Sequence, residues 1–328
     1  MDRDFATKYR PRRWSEVVGQ DHVVKVLKKK RDWKTLLFYG PPGTGKTTVA
    51  RIVAMWVNCE KKEEEDVCCE CEKCRVLLRG SITDYREENV GDSRTIEAMR
   101  EIVDWLMYKP FYLSKKVLVL DEVHNLSLAA QNLLLKVLEE PPQSVVIILC
   151  TTKLDGIIEP LRQRCQEFEF KLVSDDALML LLARVAKDEP EVLSLDDATL
   201  RCLFKESVGS PRKFLTLLEK AVFGGEVREE EEKVKPLLDV VLSGDVLGVV
   251  SSLNGMLSEV GVRSVIPIFV SAVTKRIRKA SSLSEVIKLY GVLNAMSLPS
   301  GLYGIKDEDK VLYQLLSAAI FSRKLKEM

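Results

Sequence analysis

The sequence predicts an α/β fold: a nucleotide-phosphate-binding domain on a mainly parallel sheet, followed by two all-helical parts. Three observations predict it. Apolar runs of strand length recur at 35–39 (TLLFY), 117–120 (VLVL), 144–150 (SVVIILC) and, more weakly, 168–170 (FEF), with amphipathic helical patterns between them. The first run stops at the glycine-rich stretch GPPGTGKTT. After about residue 172 helical periodicity takes over, and from about 228 onward no strand signal remains.

Taken in order, TLLFY and GPPGTGKTT lead into TTVARIVAMWVNC, whose Val49, Ile52, Val53 and Trp56 share a helical face. This is a strand, a loop and a helix. VLVL ends in Asp121-Glu122 and SVVIILC in Thr151-Thr152, and both runs read as buried central strands. Three helices follow: DDALMLLLARVAKDEP, LDDATLRCLFKESVG and SPRKFLTLLEKAVFGG. Ser174-Asp175, Ser194 and Ser210 serve as their start signals. Gly224-Gly225 and EVREEEEKVK mark a linker or a solvated helix start, and four or five further helices run to Met328. The expected domains are 1–172, with a cysteine module inserted at 59–74, then 173–227 and 228–328.

Composition narrows the class. With 50 basic against 49 acidic residues there is no global basic bias, so any nucleic-acid contact has to come from a local patch. The N-terminus, MDRDFATKYRPRRW, lacks the apolar core of a secretory signal, and no stretch has the ~18 apolar residues of a membrane span. The expectation is a cytoplasmic protein with reduced thiols and no membrane contact.

Gly40-Pro41-Pro42-Gly43-Thr44-Gly45-Lys46-Thr47 fits G-x-x-x-x-G-K-[ST] in its required strand–loop–helix context. Glycines let successive backbone N–H groups turn inward around phosphates, and the helix start adds its positive dipole end. Lys46 is expected on the β- and γ-phosphates and the Thr47 hydroxyl on Mg²⁺. Of the two acids ending VLVL, Asp121 is assigned to Mg²⁺ or its waters. Glu122 is assigned to polarising the attacking water. Together these motifs point to nucleotide hydrolysis rather than mere binding.

Five of the eight cysteines lie in CEKKEEEDVCCECEKC. Cys59, Cys68, Cys71 and Cys74 are spaced C-x8-C-x2-C-x2-C, which suits one tetrahedral, structural Zn²⁺, and Cys69 breaks the register. A redox switch and a degraded site are the competing readings. Lys61, Lys62 and Lys73 are placed to offset the acidic run beside the thiols.

A longer ordered set surrounds these motifs: KYRPRRWSEVVGQDHVVKVL, GPPGTGKTT, LDEVHNLS, NLLLKVLEEPP, RQRCQEFEF and GSPRKFLTLLEKA. It resembles the clamp-loader ATPases of the AAA+ superfamily, and DEVH followed by LLKVLEEPP resembles the bacterial DNA polymerase III gamma/tau branch. Replication factor C small subunits are the nearer cousins on the other branch, and they lack the cysteines. The resemblance implies that Tyr9, Arg10, Pro11, Val17 and Val18 line the adenine pocket, with Thr48 beside the phosphate loop. It implies that Thr151, with Thr152 beside it, senses the γ-phosphate. Arg212 is implied as the lid's charge on the nucleotide, and Arg164 as the finger reaching a neighbouring subunit's ATP in trans. Gln163 stands where the family has serine, and Arg162 offers a second guanidinium. Arg94 and Lys136 resemble positions facing DNA phosphates. The implied partners are delta- and delta-prime-like subunits, further copies of the chain, a sliding clamp and primed DNA recognised by structure rather than sequence. The helices of 228–328 match the family's collar, and a chain ending at 328 is expected to lack the tau extension.

Two rival readings remain. One is a non-hydrolysing delta-prime-like stator, against which Lys46, Thr47, Asp121 and Glu122 stand. The other is another AAA+ DNA remodeller. His22 and His124, without metal-ligand company, read as structural, and Trp105, Phe111 and Tyr112 as core or packing residues.

Overall fold

The computed structural model describes residues 4–61, 65–80, 82–90, 96–225, 230–260, 262–280, 282–296 and 307–327. The chain divides into two compact units, Met1–Glu226 and Val227–Met328.

The first unit opens with α1 (Phe5–Lys8) and α2 (Asp21–Leu27) and then enters β1 (Thr35–Tyr39) and α3 (Lys46–Asn58). The short α4 (Glu72–Arg79) precedes β2 (Tyr85–Asn89), α5 (Ile96–Met107) and β3 (Lys116–Asp121). Then come α6 (Leu128–Glu139), β4 (Val145–Thr151), α7 (Glu159–Arg162) and β5 (Gln166–Glu169). The five strands form one sheet in the order β2-β3-β4-β1-β5, every pair parallel.

Alternation of side chains puts Leu36, Phe38, Val117, Val119, Val146 and Ile148 into one core and Leu37, Leu118, Leu120, Ile147 and Leu149 into the other. Two covered faces explain why VLVL and VVIILC are apolar throughout. The order also places β1 beside β4, so the phosphate loop leaves the sheet next to Thr151 (Gly40 N donates to Thr151 O, 3.3 Å).

The helical lid of this unit is α8 (Asp175–Ala186), α9 (Asp197–Ser207) and α10 (Pro211–Val222). Ser174 and Ser210 are N-caps, their hydroxyls accepting from Ala177 N and Lys213 N. Ser194 is not the cap of α9. It ends a 3₁₀ turn, and Asp196 takes the capping bond from Thr199 N. A carboxylate is a stronger acceptor for the helix's positive end than a hydroxyl.

The second unit holds five helices among the described residues: α11 (Glu230–Ser243), α12 (Val246–Val260), α13 (Val262–Lys279), α14 (Leu283–Ala295) and α15 (Asp307–Glu327). Apolar faces of these helices build its core. Val265, Phe269 and Val273 on α13 pack with Val311, Leu315 and Ala318 on α15. No helix among the described residues is long and apolar enough to cross a membrane.

Candidate nucleotide site and cysteine centre

The phosphate loop needs backbone shapes that side chains resist. Gly40, Gly43 and Gly45 have φ of 141°, 73° and 101°. At Gly40 a Cβ would lie 2.0 Å from Phe170 O, so glycine is also required there by space. Lys46 is 6 % exposed, and its ammonium donates to Gly40 O (2.8 Å) and Pro41 O (2.9 Å). Burial pushes the Lys46 ammonium below its ordinary pKa. Gln20, 1 % exposed, staples the loop from behind, its Nε2 donating to Lys171 O (2.6 Å) and Thr44 O (3.4 Å). Sequence reading did not single out this residue.

Thr47 and Asp121, assigned to one ion from sequence, meet: Thr47 Oγ1 donates to Asp121 Oδ2 at 2.7 Å. Glu122 follows with φ 54°, a left-handed backbone outside glycine. This kink turns its carboxylate back over the end of β4, where Thr152 Oγ1 donates to its Oε2 at 2.8 Å. Thr151 is fully buried, and its Oγ1 is engaged with Lys153 and His124 rather than facing the cavity. His124, read as structural, lies 3.0 Å from Thr151 Oγ1 and 3.2 Å from Glu122 Oε2.

A cavity of about 440 Å³ gathers these groups. Tyr9, Arg10, Pro11, Val17 and Val18 form one wall, and Pro42 to Thr48 another. Asp121 and Glu122 stand at the strand end, and Arg212 closes from the start of α10. Gly40 and Pro41 lie beneath the loop rather than on the wall. Burial, then Arg51 and Arg212, push the Arg10 guanidinium below its ordinary pKa, and the cavity lining balances Arg10, Lys46, Arg51 and Arg212 against Glu16, Glu87, Asp121 and Glu122. A second cavity of about 560 Å³ shares Arg10, Pro11, Arg51 and Glu87 with the first.

Arg164 is not on the cavity wall. It pairs with Glu139 (2.8 Å) and donates to Pro160 O (2.9 Å). Arg162 is engaged by Glu167 and Glu159. Lys136 is exposed on α6, and Arg94 lies outside the described residues. Phe111 and Tyr112 are not core residues, being 92 % and 37 % exposed. The chain turns there because Asp84 takes their backbone N–H groups, which leaves both rings outward.

The Sγ atoms of Cys59, Cys68, Cys71 and Cys74 lie within 4.8 Å of one another. Cys59 to Cys68 is 3.5 Å and Cys68 to Cys74 is 3.8 Å. Zinc–sulfur bonds of about 2.3 Å give tetrahedral edges of about 3.8 Å, so the donor set fits. Burial raises the Cys68 thiol, but the N–H groups of Cys71 and Glu70 aimed at its sulfur outweigh this and hold it at about 7. Cys69 points away, its sulfur 3.5 Å from Arg12 O, with φ 60°. Lys61 pairs with Glu70 (3.3 Å), Lys73 donates to Ser114 Oγ, and Lys62 lies outside the described residues.

The cysteine module holds the cavity wall. Asp66 accepts from Trp14 N (2.7 Å) and Ser15 N (3.0 Å), and Arg13 donates to Cys68 O (2.8 Å). From the lid, Glu189 accepts from Tyr9 (2.9 Å) and Arg184 pairs with Glu16 (3.4 Å). The segment 9–18 is therefore fastened on two sides.

A parallel sheet with a phosphate loop after β1, an Asp-Glu strand end on β3 and a helical lid carrying an arginine defines an AAA+ nucleotide-binding module. A family profile described as DNA polymerase III, delta subunit, matches residues 19–174. DNA polymerase III subunit gamma of Buchnera aphidicola subsp. Baizongia pistaciae is 31% identical over 253 residues, covering 76% of this chain and 68% of that one. DNA polymerase III subunit tau of Bacillus subtilis is 36% identical over 229 residues, which is 68% of this chain but 40% of the relative. The chain belongs to the DNA polymerase III gamma/tau family. Among solved structures, the Thermotoga maritima RuvB Holliday junction branch migration motor superposes with a TM-score of 0.48 at 19% identity, over 75% of this chain and 85% of that one.

Proposed function

We propose that the chain is a clamp-loader ATPase subunit, using ATP binding and hydrolysis to load a sliding clamp onto primed DNA. The observation that carries this reading is the meeting of Lys46, the Thr47–Asp121 pair and Glu122 at one cavity beneath Arg212. A stator that does not hydrolyse has no use for that set.

Lys46 leaves the loop carbonyls for the β- and γ-phosphates. Thr47 and Asp121 would hold Mg²⁺, which supplies charge neutralisation on the phosphates. Glu122 accepts a proton from water as the water oxygen bonds to the γ-phosphorus. The bond from that phosphorus to the ADP oxygen breaks, leaving ADP and phosphate. Tyr9, Arg10, Pro11, Val17 and Val18 enclose the base, and Arg212 brings lid charge. Thr152, rather than Thr151, makes the direct contact with Glu122.

Arg164 serves in trans on a neighbouring subunit's ATP. Its exposed pair with Glu139 is worth at most about 1 kcal/mol, so exchange for a phosphate costs little. Cys59, Cys68, Cys71 and Cys74 would hold a structural Zn²⁺, with no open position for chemistry. Lys136 and Arg94 contact DNA phosphates, which position a duplex without reading it. The domains are 1–172, 173–227 and 228–328, the last a collar, and the location is cytoplasmic.

The test is steady-state ATPase of the chain alone, then with delta-type subunits, clamp and primed DNA. Assembly raises turnover, and Glu122→Gln and Arg164→Ala each remove most of the gain. Wild type that stays inactive in the full assembly returns the chain to the stator reading.

A further inference from the structure

The contacts around His124 decide which oxygen of Glu122 can work. Thr151 has one hydroxyl proton. Its Oγ1 lies 3.0 Å from Lys153 O, an acceptor only, so the proton goes there. The same oxygen accepts from Lys153 N (3.0 Å), and its remaining lone pair faces His124 Nδ1 at 3.0 Å. The other neighbour of Nδ1 is a carboxylate oxygen, Glu122 Oε2, at 3.2 Å. Both partners are acceptors, so Nδ1 carries the hydrogen. Oε2 then receives Thr152 Oγ1 (2.8 Å), Thr152 N (3.4 Å) and the shared His124 proton. Oε1 has no hydrogen-bond partner among the described residues, and Glu122 lines the cavity.

We infer that His124 is a positioning residue: with Thr152 it saturates Oε2 of Glu122, fixes the carboxylate against the buried Thr151, and leaves Oε1 as the one oxygen that takes the proton from water. This rests on the reading of Glu122 as the base. The hydrogen on Nδ1 is set by Thr151 and Lys153 before any nucleotide arrives, so the arrangement is preorganised. The side chain of His124 is 13 % exposed, which keeps solvent from competing for it. Gly156 sets the ring's place from below, since a Cβ there would lie 2.6 Å from His124 Cβ.

The experiment compares His124→Leu, His124→Asn and Glu122→Gln in the full chain within the assembly described above. An asparagine amide places a donor near the Nδ1 position, and leucine fills the volume without one. Loss of the donor lowers kcat about ten-fold or more, because small displacements of a reacting group are costly. KM for ATP and the dissociation constant of a fluorescent ATP analogue stay within two-fold. Asparagine restores at least a third of wild-type kcat. Unchanged kcat in His124→Leu overturns the inference, as does an asparagine variant no better than leucine or a loss carried mainly in KM. Full turnover in Glu122→Gln sinks the base assignment instead, which separates the two failures. A second readout needs no activity: nitrogen-15 imidazole NMR of the chain, whose two histidines are told apart with His22→Gln. A hydrogen on Nδ1 of His124 is expected, and a bare Nδ1 overturns the inference.

Discussion

Replacing Asp66 with alanine tests whether the cysteine module supports the nucleotide pocket. The carboxylate takes the backbone N–H of Trp14 and Ser15 from the wall segment and that of Val67 from its own loop. Burial raises its pKa, but these bonds outweigh burial and hold it below its ordinary value, so they are made to the charged form. A hydrogen bond to a charged group contributes about 1.5–3 kcal/mol when buried. Asp66 is half-buried, so roughly half the lower figure applies to each bond. Two cross-segment bonds then amount to about 1.5 kcal/mol, or roughly ten-fold in the opening of segment 12–16. A ligand needing the closed segment binds more weakly by the fraction closed. We expect ATP to bind more weakly to Asp66→Ala, by at most about ten-fold because the loss scales with the fraction closed, and chelation of a metal held by the four cysteines to act in the same direction. Inorganic tripolyphosphate, which needs only the phosphate loop, keeps its affinity. Displacement of a fluorescent ATP analogue by each ligand measures both. An unchanged ATP affinity refutes the reasoning, and so does an equal loss for both ligands, because the effect then does not pass through the wall.

Two further outcomes are expected. Gly43→Ala places a Cβ 2.3 Å from Ser210 Oγ at φ 73°, pushing apart the phosphate loop and the start of α10; nucleotide binding falls at least ten-fold with circular dichroism unchanged. Asp84, 2 % exposed, is raised by burial but lowered further by the N–H groups of Phe111, Leu113 and Tyr112, so its folded pKa lies below its unfolded value near 4. The unfolded chain binds the extra proton, so this stability is present above about pH 4 and is lost as pH falls through the folded pKa. Urea midpoints for wild type therefore drop more steeply below about pH 4 than those of Asp84→Asn; parallel acid limbs would exclude the assignment.

The sites that physical patterning marks were legible: the phosphate loop by its glycines, Asp121-Glu122 by its place after a buried run, and the thiol set by spacing. β2 was not. YREEN sits at the sheet edge, with one neighbour strand and almost no apolar signal. Its stability comes from partners distant in sequence, such as Arg51, which grips Glu87 through two bonds of 2.6 and 2.7 Å. Gln20 and His124 escaped for a related reason. Each matters through what the fold brings to it, backbone carbonyls for one and a carboxylate and a hydroxyl for the other. Asp196 displaced Ser194 as a cap because the chain spends 190–194 on a 3₁₀ turn that periodicity does not reveal.

The left-handed backbone at Glu122 has a cost. A residue with a Cβ held there gives up about 1–2 kcal/mol that glycine would not, and asparagine would give up less. The hydrogen bonds that Glu122 accepts from Thr152 offset that strain, so glycine in its place would relieve the one and forfeit the other, together with the carboxylate proposed as the base.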